Sequence, residues 1–92
     1  MIRSFKHKGL EKFFLTGSKA GIQPDHAPKL ARQLAMLDAA KAVEQMNYPG
    51  WLLHPLTGKL EGLWSIRVNG NWRITFRFQD GSAEIVDYQD YH

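Results

Sequence analysis

A chain of 92 residues has room for one domain, and 43% hydrophobic with 23% charged residues is a globular rather than a disordered composition. The absence of cysteine excludes a disulfide framework, thiolate metal ligands and thiol nucleophiles, and no apolar run approaches the ~20 residues of a membrane span. The net charge of +3 is uneven: residues 1–46 hold eight Lys/Arg against four Asp/Glu, and residues 47–92 hold four against five.

In chain order, Ile2–Lys6 reads as a short strand or extended arm, and Leu10, Phe13 and Phe14 are at helical spacing within Gly9–Gly17. Gly21 and Pro24 interrupt. Asp25 is a candidate N-cap for a second helix with Leu30, Leu34 and Leu37 on one face, ending between Asp38 and Met46. Asn47-Tyr48-Pro49-Gly50 is a turn, and Trp51–His54 is extended ahead of Pro55. Leu56–Gly62 is a loop. From Leu63 onward the pattern is strand, turn, strand, turn, strand, with Trp64, Ile66, Val68 and Trp72, Ile74, Phe76, Phe78 alternating at period two.

Register follows from that alternation. A three-residue Asn69-Gly70-Asn71 loop keeps the apolar residues on one face by setting Ile66 opposite Ile74 and Trp64 opposite Phe76. Asp80-Gly81 is a two-residue hairpin signal that sets Arg77 opposite Glu84 and, if the last strand stays regular, Arg73 opposite Tyr88. The expected fold is α+β: two or three amino-terminal helices on one face of an antiparallel sheet, in a single domain spanning 1–92.

The polar face of that sheet carries the chemistry. Arg67 and Arg73 fall directly opposite each other, an unfavourable like-charge pair that the strand pattern does not require and that suits an anion. A regular last strand projects Tyr88, Asp90 and His92 to the side of Arg73, with Tyr91 turned away. Tyrosine, aspartate and histidine can stack a base, orient an imidazole and move a proton. His54, ahead of the Leu56-Thr57-Gly58-Lys59 loop, reaches the sheet edge as a second imidazole. His7 and His26 are expected at the surface, and the four histidines lack metal-ligand spacing, so neither metal nor cofactor is predicted. The basic first half, with Lys29 and Arg32 on the polar side of the second helix, suits nucleic acid or an acidic protein.

The opening Met1–Leu10, Leu53-His54-Pro55-Leu56, Gly62–Val68, Asn71-Trp72-Arg73-Ile74-Thr75-Phe76 and the ending Asp87–His92 together resemble the HigB branch of the RelE-type toxins of bacterial toxin–antitoxin systems. The resemblance implies a cytoplasmic, ribosome-dependent endoribonuclease that cuts mRNA in the A site of the 70S ribosome, against 16S rRNA, by metal-free attack of the ribose 2′-OH. On it His54, Arg73, Asp90, Tyr91 and His92 are the catalytic set; the reading of the polar face and its loop adds Lys59, Arg67 and Tyr88 as RNA contacts. Where family members often carry Lys, this chain has Thr57, with Lys59 two residues on. The implied partner is a helix-turn-helix antitoxin of the HigA type, which would bring the toxin to operator DNA; no membrane is involved. Two other readings are a gyrase-inhibiting toxin of the ParE-like branch and a non-catalytic RNA-binding regulator.

Overall fold

In the computed structural model, which describes residues 1–91, two helices pack against a four-stranded antiparallel sheet ordered β1-β2-β3-β4. Helix α1 spans Lys8–Thr16. His7 Nδ1 accepts the Leu10 N–H at 2.9 Å to cap its start, and the Gly17 N–H closes on the Phe13 carbonyl at 2.8 Å. The periodicity that forms the helix also turns Leu10 and Phe13 into the core.

Helix α2, Ala27–Ala39, buries Leu30, Leu34 and Leu37. It starts later than Asp25 suggests: Pro24–His26 is a separate 3₁₀ turn, Pro28 occupies the first turn of α2, and no side chain caps that start. It also stops well before Met46. Val43–Met46 is its own 3₁₀ turn, in which the Gln45 side chain accepts the Ala42 N–H at 3.0 Å. Gln33, fully buried on α2, donates to the Arg67 carbonyl at 2.8 Å and ties the helix to β2.

The segment between α1 and α2 crosses α1 where neither backbone has a side chain. A Cβ on Gly9 would sit 2.6 Å from the Gly21 carbonyl oxygen, and one on Gly21 would sit 2.5 Å from the Gly9 Cα. Only glycine at both positions permits that approach.

Strand β1 is just His54–Pro55; β2 is Trp64–Asn69, β3 Trp72–Gln79 and β4 Ser82–Asp90. Trp64 opposes Phe76, Ile66 opposes Ile74 and Arg67 opposes Arg73, as the alternation predicts. The turn itself differs. Asn69 pairs with Trp72 around a two-residue Gly70-Asn71 turn, and a bulge at Val68 takes up the extra residue. In the second hairpin Asp80 and Gly81 both have positive φ, 53° and 76°, the signature of a type I′ turn, and Arg77 opposes Glu84.

Beyond Glu84 the register departs from a regular strand. Arg77 pairs with Glu84 but Thr75 pairs with Asp87, so β4 has one extra residue there, with Ile85 in the left-handed region at φ 47°. The amino-terminal arm stabilises this bulge from the side. Ile2 and Phe5 bridge Ala83 and Val86 in parallel, and the Ser4 hydroxyl accepts the Ile85 N–H at 2.8 Å. A one-residue slip exchanges faces, so Arg73 opposes Gln89 rather than Tyr88, and Tyr88 stands beside Ile74 on the helix-covered face.

That face is the core: Ile66, Val68, Ile74, Phe76, Ala83, Val86 and Tyr88 are buried against Leu10, Leu30, Leu34 and Leu37. Among the described residues no helix is long and apolar enough to cross a membrane.

Candidate active site

The opposite face of the sheet is polar, and pairing sets its side chains in two rows. His54 opposes Ser65, Ser65 opposes Thr75, and Thr75 opposes Asp87. In the adjacent row Arg67 opposes Arg73, and Arg73 opposes Gln89. Period two puts both rows on one face.

The two guanidiniums lean on the same acceptor: Arg67 Nε donates to the Gly70 carbonyl at 3.3 Å and Arg73 Nη1 at 3.5 Å. Neither is within ion-pair distance of a described carboxylate. Asp87, on the same face, is already committed. Its Oδ1 accepts the Tyr88 N–H at 2.9 Å and its Oδ2 accepts from Gln89 Nε2. Two arginines held together with no carboxylate partner among the described residues form a cationic patch geometrically suited to a phosphate. Ser65 Oγ is enclosed there with no hydrogen-bond partner among the described residues.

His54 stands at the edge of this patch, exposed, with Nδ1 2.8 Å from the Leu52 carbonyl. Lys59 is exposed in the 3₁₀ turn Gly58–Leu60 that joins β1 to β2. Asp90 ends β4 opposite Trp72, on the other side of the sheet from Arg73, because of the Ile85 bulge. Tyr91 follows, its N–H bonded to the Asn71 carbonyl at 2.8 Å and its hydroxyl buried without a partner among the described residues. His92 lies outside the described residues.

Tyr88 is a correction to the sequence reading. Rather than lying on the polar face, it is 4% exposed and stacks on Trp72 with ring centroids 4.5 Å apart. Its hydroxyl is 2.5 Å from His26 Nδ1, and the Gln23 N–H donates to it at 3.4 Å. Burial pushes the Tyr88 phenol above its ordinary value of 10.0; the Gln23 N–H opposes that shift and the Asp90 charge adds to it. His26, expected at the surface, is 7% exposed and edge-on to both Trp72 and Tyr88. Arg32, expected on a free polar helix face, is stacked over the Tyr48 ring, 4.7 Å from its centroid, and donates to its hydroxyl. Ser65 and Thr75 were not singled out from sequence, although each sits two positions from an arginine of the patch.

Residues 3–92 match the family of RelE-like toxins of type II toxin–antitoxin systems designated HigB. The chain belongs to that family. It is 45% identical over 92 residues to the Endoribonuclease HigB of Proteus vulgaris, covering all of both chains. It is 37% identical over 94 residues to Toxin HigB-1 of Vibrio cholerae serotype O1, covering 100% of this chain and 98% of that one. A crystal structure of a YafQ mutant from E. coli superposes with a TM-score of 0.56 at 14% identity, over 98% of this chain and 93% of the other, and so shares the fold. As a type II toxin, a HigB chain implies an antitoxin partner. On this HigB fold the polar sheet face, with His54 at its edge and the arginine pair at its centre, is the candidate active site.

Proposed function

We propose that this HigB toxin is a cytoplasmic endoribonuclease that cuts mRNA in the ribosomal A site, and that a HigA-type helix-turn-helix antitoxin restrains it and links it to operator DNA. The observation that carries the reading is the directly opposed Arg67–Arg73 pair, without a carboxylate partner among the described residues, in the row next to His54. Cleavage by attack of the ribose 2′-OH on the adjacent phosphate needs a proton acceptor, a cation for the extra charge on phosphorus and a proton donor for the leaving oxygen.

Side chains supply all three in this scheme, without a metal. Arg73 faces the scissile phosphate, and Arg67 and Lys59 hold the flanking backbone. His54 and His92 exchange protons with the two ribose oxygens. Asp90 and Tyr91, next to His92 in sequence, orient it and position the substrate. Tyr88 acts from the core by anchoring the strand that leads to these residues.

The test is 5′-end mapping of mRNA on programmed 70S ribosomes beside a ribosome-free control. Cuts within the A-site codon, only on ribosomes and lost in folded Arg73→Ala and His92→Gln, are the expected result. Cuts on free RNA would remove the ribosome requirement. A folded protein that leaves RNA intact and induces the DNA-damage response would transfer the toxin to the gyrase-inhibiting class.

A further inference from the structure

Strand β1 is delivered by a strained residue. Leu52 has φ 53°, in the left-handed region that leucine avoids, and its side chain is 56% exposed, so core packing does not hold it there. Strain of this kind at the edge of a site usually has a use. Here it accompanies a Leu52 carbonyl turned toward the ring two residues on, 2.8 Å from His54 Nδ1. A carbonyl oxygen can only accept, so Nδ1 carries the hydrogen, and the lone pair of the neutral imidazole is then at Nε2.

We propose that the Leu52 carbonyl is the positioning group that holds His54 as the Nδ1–H tautomer and presents Nε2 as a proton acceptor beside the Arg67–Arg73 patch. Only the identity of the proton donor, a ribose 2′-OH, rests on the ribonuclease reading. When Nε2 takes that proton the ring becomes imidazolium, and the bond from Nδ1–H to the Leu52 carbonyl becomes charge-assisted, so the same contact supports both states. A histidine without this contact would divide its population between two tautomers, one of which has no lone pair at Nε2.

The contact is tested by long-range ¹H–¹⁵N correlation spectra of the full chain, with the His54 ring assigned through His54→Gln and read in its neutral form. The expected pattern is a protonated Nδ1 and a lone pair at Nε2. Leu52→Val disfavours the left-handed backbone, whereas Leu52→Gly and Leu52→Asn tolerate it. The valine variant should mix the tautomers and lower kcat about tenfold or more with KM nearly unchanged, and the glycine and asparagine variants should restore both readouts. An Nε2–H pattern in the wild-type chain overturns the proposal, as does a valine variant with unaltered tautomer and kcat. An Nδ1–H pattern in a wild-type protein that cleaves no RNA upholds the Leu52–His54 contact and overturns the ribonuclease reading.

Discussion

At the scale of single residues, the least expected feature is Tyr88, a phenol that closes a cluster of Trp72, His26 and the Gln23 amide inside the fold. Tyr88→Phe would keep the stacked ring and remove the partner of His26. A buried polar group left unpaired costs roughly 1–3 kcal/mol. For a domain of this size that lowers Tm by about 4–8 °C per kcal/mol, measurable by thermal denaturation at pH 7. The pH dependence has a definite sign. The folded-state value of Tyr88 is raised above 10.0, so the folded chain binds the proton more tightly than the unfolded one. Its contribution is complete below about pH 10 and falls as pH rises from there through the folded value. Denaturation curves across the alkaline range should show a steeper stability loss in wild type than in Tyr88→Phe.

At the scale of elements, the crossing at Gly9 and Gly21 sets how closely the segment before α2 passes over α1. Gly9→Ala puts a methyl group 2.6 Å from a carbonyl oxygen, and overpacking of this kind costs about 1–3 kcal/mol. Equilibrium unfolding in urea of Gly9→Ala beside wild type should show that loss. How legible the elements were depended on how local their causes are. The Arg67–Arg73 pair was readable because one short hairpin determines it. The faces of Tyr88 and Asp90 were not, because they depend on the Ile85 bulge and on the Ser4 hydroxyl that binds the Ile85 amide from the other end of the chain. The sequence does contain a trace of the slip: the apolar positions of the last strand change parity from Ala83 and Ile85 to Val86 and Tyr88. His26 sits in a polar-looking Pro24-Asp25-His26 turn, and its burial comes from a tyrosine 62 positions away. No local pattern reports that contact.

At the scale of the whole molecule, the net charge of +3 understates the field that an RNA would meet, because Arg67 and Arg73 are concentrated on one face without described ion-pair partners. Contacts to phosphates release counterions, so affinity should fall with salt by roughly 0.7 log units per log unit for each single-strand phosphate neutralised. Arg67→Gln should weaken binding to programmed ribosomes and reduce that salt slope by about one contact. Removing one member of a directly opposed like-charge pair should also leave the fold as stable as wild type or more so, by up to ~1 kcal/mol. Salt titrations of binding, with urea unfolding of the same preparations, test both halves. A variant that is less stable with an unchanged slope would count against the anion patch.

The arm at Ile2 and Phe5 lies in parallel beside Ala83 and Val86, so segments some eighty residues apart in sequence meet along one strand edge. The Ile85 bulge, which decides the faces of the residues after it, gains its Ser4 partner only when that long loop closes. The polar row from His54 to Asp87 therefore waits on a contact of high sequence separation, and a chain that has formed only its hairpins does not yet have it.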